Sequence, residues 1–456
     1  MNREVTLADV LAAREARVER QQRLLATYAV PVISFSMNIA GPVKDSPAVR
    51  RAFRWGRERL RTALCEKDLT VLAAKEVQAI TGPEWTAAVK ADALALKRIC
   101  VAVEDETPLG RLFDMDVIGT DGEKLDRTAV GTQERGCIVC GRPGRECASR
   151  RLHSVEALQA ATARLIDAHF AEADACAVAD AVTEALLQEV YTTPKPGLVD
   201  RQNNGSHRDM TVHTFEASAA ALHAYWAACV QTGVETRALP AAETFRKLRL
   251  LGLAAERDML TATGGVNTHK GAIFLLGILC GAIGRRWSAG APFAPIETLC
   301  AESTDMTADV LAEEWERLKA APPEHPTNGQ RLYLQYGITG ARGEAAGGFQ
   351  TVLSCGLPVY RKALHSGLSE NDAAAVTLLH LLANGVDTNM IARGGVEKAR
   401  AARETVQELL QKTPFPSTKE IEALDDSFIA RHLSPGGSAD LLAVTLFLNA
   451  LETKTK

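Results

Sequence analysis

The chain has 456 residues, of which 46% are hydrophobic and 24% are charged, and its formal net charge is -4. This composition excludes a wholly disordered chain, and at about 100–200 residues per domain the length predicts two or three domains. The near-neutral charge argues against a dedicated nucleic-acid-binding protein, because such proteins usually carry a basic surplus.

The sequence contains no apolar segment of the kind that directs a protein to or through a membrane. Its N-terminus is charged, without the apolar stretch of a signal peptide. The longest apolar run, residues 271–283, is shorter than the roughly 20 residues of a membrane span, so it predicts a buried core helix. Ten cysteines in this context do not predict a disulfide scaffold. We therefore expect a cytoplasmic protein with no membrane or nucleic-acid partner.

The first part of the chain mixes helix and strand patterns. Helical patterns cover residues 7–28 and 46–65, and strand patterns cover residues 31–39, 99–103 and 111–118. Ser46 has the character of a helix N-cap, and Asp121-Gly122 is typical of a hairpin turn. Together these patterns predict an α+β domain over residues 1–165.

The rest of the chain is rich in Ala, Leu and Glu and contains no convincing strand pattern. Helical patterns cover residues 171–191, 215–232, 241–261 and 295–320. They predict an all-α domain over residues 170–456. Loops on such a rigid scaffold often carry function, so the polar segments between the helices are of interest.

The first of these loops, residues 193–210, combines four Pro and Gly residues with many charged ones. Lys195 and Arg201 are natural partners for phosphate oxygens, and Asp200 and Asp209 are candidate Mg²⁺ ligands. Further candidate binding residues of this loop are Asn203 and His207. The alternative is a capped, solvated loop between two helices.

A second loop, residues 263–271, places two glycines before the apolar helix. Free amides at a helix N-terminus form an anion site, which indicates phosphate binding, although the P-loop pattern is absent. Candidate binding residues are Asn267, His269 and Lys270. The alternative is a capped core helix with a Gly-rich entry.

Two further Gly-rich loops carry one acid and one arginine each. Residues 340–349 contain Arg342 and Glu344, and residues 387–395 contain Asp387 and Arg393. Four such loops in one helical domain indicate a single site at one end of a bundle. Its charged residues favour a polyphosphate with a metal ion as ligand.

These loops resemble the triphosphoribosyl-dephospho-CoA synthase family. The resemblance rests on TPKPGLVD, NNGSHRDM, TGGVNTHKG, GARGEAAGGF and DTNMIARGG, in that order, over about residues 171–400. It implies an all-α fold and a reaction of ATP with 3′-dephospho-CoA, in which adenine leaves and the triphosphoribosyl group joins a ribose hydroxyl.

That chemistry needs acids and phosphate-binding cations. Breaking the bond to adenine leaves an oxocarbenium-like centre, and a general acid must protonate the leaving base. The candidate catalytic carboxylates are Asp200, Asp209, Glu256, Glu344 and Asp387, whose acid and base roles stay unassigned. The cations expected to hold the retained triphosphate are Lys195, Arg201, Lys270, Arg342 and Arg393.

In the first part of the chain, Asp114 and Asp116 stand two apart on a predicted strand. Alternation places both carboxylates on one face, where a pair can hold Mg²⁺ during attack on a phosphate. The alternative is a solvent-facing pair. Additional candidate phosphate or substrate contacts are Asn38, Lys44, Arg127 and Arg135.

A cysteine-rich segment follows. Cys137 and Cys140 have CxxC spacing, and Cys147 and His153 could complete a Cys₃His zinc site. The favoured interpretation is structural thiols, because a zinc site normally shows a second tight ligand pair and the last two residues are six apart. Zinc and a redox pair are the alternatives.

The first part of the chain resembles the holo-acyl-carrier-protein synthase family of citrate lyase. The resemblance rests on NIAGPVK, GRLFDMDV and RGCIVCGRPGRECASRRLHS, within about residues 14–158. It implies a nucleotidyltransferase-like domain that moves phosphoribosyl-dephospho-CoA from its triphosphate precursor to a Ser of the apo-acyl carrier protein and releases pyrophosphate. The Asp pair would then hold Mg²⁺. A related system modifies the malonate decarboxylase carrier, but the cysteine-rich segment favours the citrate lyase type.

The leading hypothesis is a bifunctional transferase whose two domains catalyse consecutive steps. One alternative is that only the C-terminal synthase is active and the N-terminal domain docks the carrier. Another is a non-catalytic nucleotide sensor, which the many carboxylates beside basic loops disfavour.

Overall fold

A computed structural model describes residues 3–453 of the chain, apart from the side chain of Ala148. It divides into two compact units. The N-terminal unit comprises Met1–Ala171 and Ser288–Ala291, and the C-terminal unit comprises Glu172–Trp287 and Pro292–Lys456. The outermost residues of both predicted domains, 1–2 and 454–456, lie outside the described part.

The N-terminal unit is an antiparallel sheet with helices. Its strands are β1 Val32–Met37, β2 Thr70–Ala79, β3 Gly82–Lys90, β4 Phe113–Ile118 and β5 Lys124–Leu125. Its helices are α1 Leu7–Tyr28, α2 Pro47–Cys65, α3 Ala93–Glu106 and α4 Gly144–Arg150, followed by α5 Val155–Tyr191, which contains the boundary between the units. The strand order is β2-β3-β1-β4-β5, and all four pairings are antiparallel.

The two faces of this sheet differ in polarity because the side chains alternate along each strand. Phe35 of β1 and Phe113 of β4 lie on the apolar face, where Phe35 stacks on Phe53 of α2 at 4.7 Å between ring centroids. The opposite face carries two cross-strand rows of polar residues, whose register places Glu84, Ser36 and Asp114 in one row and Thr86, Ser34 and Asp116 in the other. The polar face of the sheet therefore runs from β3 across the central strand β1 to Asp114 and Asp116 on β4.

The α+β prediction agrees with this unit, but one element was wrong. Residues 99–103 were predicted as a strand and lie inside helix α3. Asp92 caps this helix by accepting from the Ala95 amide, and the buried residues Leu96, Cys100 and Val103 repeat at helical spacing. A five-residue apolar window could not show that longer period. Strands β2 and β3 were not predicted.

The C-terminal unit is helical. After α5 its helices are α6 Val212–Thr236, α7 Ala241–Ala262, α8 Lys270–Arg286, α9 Ile296–Ala320, α10 Asn328–Tyr336, α11 Gly340–Ala346, α12 Leu357–His365, α13 Glu370–Asn384, α14 Thr388–Gly394, α15 Val396–Lys412, α16 Thr418–Ala430 and α17 Gly436–Thr453. This agrees with the all-α prediction, and the described part of the unit contains no strand.

Helix α8 lies at the centre of this unit. Every residue from 275 to 284 is buried, and the helix packs against α6, α7, α9 and α17. The apolar run at residues 271–283 is therefore a core helix, as predicted. Within residues 3–453, none of the helices combines the length and the apolar character that crossing a bilayer requires.

Candidate active sites

A cavity of about 1040 Å³ lies in the C-terminal unit, where loops between helices meet. All four predicted loops contribute to its wall, together with residues at 434–441, which lie at the entry and in the first turns of α17. Nine of the predicted site residues line it, namely Lys195, His207, Asp209, Asn267, His269, Lys270, Glu344, Asp387 and Arg393. The volume is at the upper end of the roughly 300–1,000 Å³ typical of small-molecule pockets, so it suits a large ligand.

The loop before α6 places a buried lysine in the cavity wall. The Lys195 side chain is 1% exposed, and its Nζ donates to the Glu189 carbonyl at 2.7 Å and to Glu189 Oε1 at 2.5 Å. Pairing of this kind is what makes a buried ammonium tolerable, because an unpaired one would lose its hydration without compensation. Lys195 therefore sits in one position beneath the cavity.

Asp200 holds the shape of the same loop. Its Oδ2 accepts from the Lys195 amide at 3.0 Å, and its Oδ1 accepts from the Gln202 and Asn203 amides at 2.7 and 2.9 Å. The carboxylate is buried and does not line the cavity. Both oxygens are thus occupied by the backbone, and the position leaves no direct path to a ligand.

Two more predicted residues of this loop lie away from the cavity wall. Asn203 Nδ2 donates to Asp425 Oδ2 at 2.8 Å, which ties the loop to α16. The Arg201 guanidinium stacks over the Tyr191 ring at 4.2 Å. Asn203 and Arg201 therefore help to hold the loop in place.

His207 forms a neutral bridge across the cavity wall. Arg393 Nη2 contacts His207 Nδ1 at 3.0 Å and Ser434 Oγ contacts Nε2 at 2.8 Å. Because a guanidinium can only donate, Nδ1 must accept and Nε2 carries the proton. Burial, together with the Arg393 charge, lowers the pKa of His207 to about 4, so the ring is neutral near pH 7.

His269 leaves a buried donor at the cavity. Its Nδ1 lies 2.7 Å from Ser218 Oγ, which also accepts from Thr268 Oγ1 at 2.7 Å. Since Ser218 accepts from Thr268, its own proton is directed at Nδ1, and Nε2 becomes the protonated nitrogen. That nitrogen is buried and has no hydrogen-bond partner among the described residues. Burial, with a smaller effect of the Lys195 charge, lowers the pKa of His269 to about 3, so this N–H donor is neutral.

The N-terminus of α8, which was predicted to bind phosphate, faces the carboxylate of Asp440. Asp440 was not among the predicted site residues. A Cβ added at Gly271 would lie 2.0 Å from Asp440 Oδ2, so only glycine allows this approach. The Ala272 amide donates to Asp440 and lowers its pKa, but burial, Glu189 and Asp387 outweigh it and raise the pKa well above the ordinary value. Asp440 is therefore a candidate proton donor at the cavity.

A sequence signal for Asp440 was available. Residues 434–440 read SPGGSAD and cover the entry and the first turn of the apolar helix α17. Residues 263–271 are likewise a Gly-containing polar segment that leads into an apolar helix. Glu189 had no such signal, because it lies inside α5 and only the folded structure brings it to Lys195.

Two of the predicted acids in the cavity wall, Asp387 and Glu344, are held by hydrogen bonds. Asp387 Oδ1 accepts from the Asn389 and Met390 amides at 3.0 Å, and its Oδ2 accepts from the Ser438 amide at 2.7 Å. Glu344 accepts from the Thr351 amide at 2.9 Å and from its hydroxyl at 2.8 Å. Burial raises the pKa of Asp387, and the hydrogen bonds from Met390, Ser438 and Asn389 oppose this shift.

Three predicted residues, Glu256, Lys270 and Arg342, form ion pairs near the cavity. Lys270 Nζ lies 2.7 Å from Glu256 Oε2 in an exposed ion pair. Arg342 Nη1 lies 3.5 Å from Glu314 Oε2. Of these, Lys270 lines the cavity, whereas Glu256 and Arg342 do not.

The acid pair of the N-terminal unit lies on one face of β4, opposite Ser36 and Ser34. Asp114 is exposed, and Asp116 Oδ2 lies 2.6 Å from Lys124 Nζ. Burial and then the Asp114 charge raise the pKa of Asp116, while Lys124 opposes them. Lys124 is the lysine in contact with Asp116, and Lys97 acts on Asp116 from farther away. Exposed Asp114 lacks such a contact among the described residues, and carboxylate oxygens of this kind suit a divalent cation.

Arg127 and Arg135 lie at the edge of β4, where they pair with buried Glu104. Glu104 Oε1 accepts from the Met115 amide at 2.8 Å, and its Oε2 lies 2.5 Å from Arg135 Nη2 and 3.9 Å from Arg127 Nη1. Arg135 Nη1 also donates to the Phe113 carbonyl at 2.6 Å. Glu104 and Arg135 therefore supply hydrogen-bond partners to the part of the β4 edge that does not pair with β5.

The two other predicted residues of this unit lie in the turn after β1. The Asn38 side chain is exposed, and the backbone N–H of Asn38 donates to the Leu112 carbonyl at 2.7 Å. Lys44 Nζ donates to the Ile39 carbonyl, and burial lowers the pKa of this amine. The Lys44 side chain therefore stabilises the turn after β1.

The cysteine-rich segment brings four ligand atoms together. One atom each from Cys137, Cys140, Cys147 and His153 lies within 4.8 Å of all the others. The sulfurs of Cys140 and Cys147 are 3.4 Å apart, and His153 Nε2 is 3.2 Å from Cys140 Sγ. The wide spacing of Cys147 and His153 argued against a joint site. Cys147 lies in α4 and His153 follows the turn after it, and this path brings both side chains to the same cluster.

Both halves of the sequence match known families. Residues 5–169 match the apo-citrate lyase phosphoribosyl-dephospho-CoA transferase family, CitX. Residues 175–456 match the ATP:dephospho-CoA triphosphoribosyl transferase family, CitG.

Individual relatives cover one half or the whole chain. Protein CitXG of Haemophilus influenzae is 36% identical over 97% of this chain and 96% of its own length. Protein CitXG of Leuconostoc mesenteroides subsp. cremoris is 32% identical over 98% and 97%. The 2-(5''-triphosphoribosyl)-3'-dephosphocoenzyme-A synthase of Klebsiella pneumoniae is 44% identical over 60% of this chain and 90% of its own.

Proposed function

The chain belongs to the CitXG family, a fusion of CitX and CitG, and we propose that each of its two reactions takes place in one of the two units described above. The protein is a bifunctional transferase that builds the prosthetic group of citrate lyase and attaches it. ATP is a substrate of the synthase step, and the carrier subunit of citrate lyase is the partner of the transfer step. Cytoplasmic location belongs to the same proposal, because ATP is consumed there.

In the C-terminal unit, the cavity joins ATP to 3′-dephospho-CoA. The bond between adenine and the ribose C1′ of ATP breaks, and a ribose hydroxyl of dephospho-CoA bonds to that carbon. Adenine takes up one proton as it leaves, and the hydroxyl gives up one. The reaction therefore needs a proton donor and a proton acceptor in one water-restricted space.

The observation that carries this proposal is the pairing of Asp440 with the N-terminus of α8. An acid whose pKa is raised by burial and by like charges keeps its proton to higher pH than an ordinary carboxyl and can donate it to the leaving adenine, as in glycosidases. The neutral Nε2–H of His269 is a second donor in the same wall, suited to a ring nitrogen or a phosphate oxygen.

The triphosphate of ATP is retained, so the unit must hold it without cleaving it. Lys270 and Arg393 line the cavity with exposed or half-exposed cationic groups. Asp209 also lines it and makes no hydrogen bond or ion pair to another residue within 3–453, which leaves its carboxylate available to Mg²⁺. Magnesium would supply charge neutralisation for the phosphates and typically uses one or two carboxylates.

In the N-terminal unit, Asp114 and Asp116 on β4 are the residues that would hold Mg²⁺ with the triphosphate product. The ion would supply Lewis-acid polarisation of the phosphate. The carrier Ser oxygen bonds to the phosphorus next to the ribose as the bond from that phosphorus to the pyrophosphate oxygen breaks. Pyrophosphate leaves, and the Ser hydroxyl gives up its proton to solvent. The exposed side of Asp114 is open to an incoming carrier.

Mass spectrometry of the products tests both assignments. Purified protein is incubated with ATP, Mg²⁺ and dephospho-CoA, first alone and then with the apo-acyl carrier protein. We expect free adenine with a triphosphoribosyl adduct of dephospho-CoA, followed by a mass gain on the carrier. Absence of adenine release would overturn the synthase assignment in favour of a nucleotide sensor. Adenine release without a carrier adduct, even from supplied precursor, would favour a docking role for the N-terminal unit.

A further inference from the structure

The cysteine-rich segment of the N-terminal unit is not used by either proposed reaction. It joins four side chains from separate local elements: a turn at residues 137–141, helix α4, and the turn before α5. We propose that Cys137, Cys140, Cys147 and His153 form a structural zinc site.

The ligand set and its distances fit zinc. Zinc–sulfur bonds of about 2.3 Å and zinc–nitrogen bonds of about 2.0–2.1 Å make the edges of a tetrahedral site roughly 3.5–3.8 Å. The Cys140–Cys147 distance of 3.4 Å and the His153–Cys140 distance of 3.2 Å are close to these edges. Four protein ligands leave no open position, which is the mark of a structural site.

The turn that carries the first two ligands is built to receive a metal-bound sulfur. The Val139 amide donates to Cys137 Sγ at 3.4 Å, and the Gly141 amide donates to the Cys137 carbonyl at 2.9 Å. Gly141 adopts a φ of 75°, which closes the turn in a conformation that favours glycine. An amide that points at a sulfur stabilises it as an anion, the form that binds metal.

The other two interpretations explain less of this geometry. Apolar packing accounts for a buried thiol such as Cys147, but Cys140 is exposed and Cys137 is half-buried. A redox pair would need the two CxxC residues alone, whereas the Cys147 thiol also lies 3.4 Å from Cys140 Sγ, longer than the about 2.05 Å of a disulfide. Neither interpretation requires His153 to face a sulfur.

The site would fix a segment that touches the acid-bearing strand. Arg111 donates to the Gly136 carbonyl, and Arg135 donates to the Phe113 carbonyl directly before Asp114. Between residues 131 and 153 the only regular element is the short helix α4. A zinc ion would hold this segment in one conformation where packing alone is sparse.

Elemental analysis of the full-length protein tests the proposal. After expression in zinc-supplemented medium and desalting, we expect about one zinc per chain, released when a mercurial reagent blocks the thiols. Cobalt exchanged into the protein should give the visible bands of tetrahedral thiolate coordination. Zinc below about 0.1 per chain with no cobalt bands, or stoichiometric iron in its place, would overturn the proposal.

Matched variants locate the metal. Cys140→Ser should lose at least about 90% of the zinc, whereas Cys65→Ser, an exposed cysteine of the same unit outside the cluster, should keep it. Unchanged zinc content in Cys140→Ser would place the metal elsewhere and contradict the proposal. The wild-type measurement does not depend on the variant folding, so the proposal stays testable if Cys140→Ser is unstable.

Discussion

The two candidate sites are built in different ways. In the N-terminal unit, Asp114 and Asp116 lie on one strand, and their common face follows from strand alternation alone. In the C-terminal unit, Asp440, His269 and Lys195 come from three segments far apart in the chain and meet only at the cavity. A site on one strand can be identified from local sequence, whereas a site between helix ends depends on how the helices pack.

The two sites also differ in the exposure and pairing of their charged side chains. The strand carboxylates are open to solvent on at least one side, and Lys124 pairs with Asp116. The cavity wall holds buried Asp387 and half-buried Asp440, with Lys195 already paired to Glu189. The open pair suits a metal that exchanges with substrate, and the enclosed acids suit proton transfer.

The largest expected effect separates the two reactions. Asp114→Asn should slow transfer to the carrier by about 10³-fold, since loss of a metal-held phosphate contact costs roughly 4 kcal/mol, and should leave adenine release unchanged. Rates of carrier mass gain and adenine release measure the two steps. The control is Asp121→Asn in the exposed hairpin. Normal transfer by Asp114→Asn would remove the N-terminal assignment.

The second prediction concerns the enclosed acid. Asp440→Asn should lower adenine release by about 10²-fold, the scale of a lost general acid, while transfer of supplied precursor continues. The wild-type rate should fall as pH rises through the raised pKa of Asp440, because the acid must be protonated. The exposed Asp426→Asn serves as control.

Thermal stability sharpens this second prediction. A carboxyl whose folded pKa is raised stabilises the fold at low pH and costs stability as pH rises above its unfolded pKa. Asp440→Asn should therefore raise the Tm near pH 7.5 relative to wild type and leave it nearly unchanged near pH 4. A lower Tm at pH 7.5 would indicate that Asp440 serves the structure as an ionised group.

A smaller effect is expected at Lys270. Replacing it by Ala should raise the KM for ATP by about 10-fold, the scale of one charge-assisted contact, with transfer of supplied precursor intact. Glu256→Gln removes its partner and should not raise the KM, since it frees the ammonium. Parallel loss of both activities in Lys270→Ala would show that the two units do not act independently.

The smallest effect is a pH dependence of stability at His269. Its pKa is about 3 in the fold against about 6.5 when unfolded, so its stabilising contribution is complete above pH 6.5 and declines as pH falls toward 3. At pH 5.5 the loss is about 1.4 kcal/mol. His269→Gln should remove this part of the pH dependence in denaturant unfolding between pH 7.5 and 5.5. An unchanged pH dependence would mean that folding does not lower the pKa of His269.

Local patterns predicted the elements whose signal is complete within the segment. The helix at residues 7–28 and the strand bearing the acid pair are of this kind. The run at residues 99–103 was misread because its helical period needs the whole of α3 to show. Strand β3 is buried on both faces along most of its length and therefore lacks a clean alternation.

The sequence alone determined the two-part organisation, the polar loops that line the cavity and the common face of Asp114 and Asp116, because composition, turn residues and strand alternation act over a few positions. Tertiary structure decided that Asp200 serves the backbone, that Asp440 faces the N-terminus of α8, and that His153 meets three cysteines. Burial, desolvation and distance between remote segments govern those outcomes, and they exist only once the helices have packed.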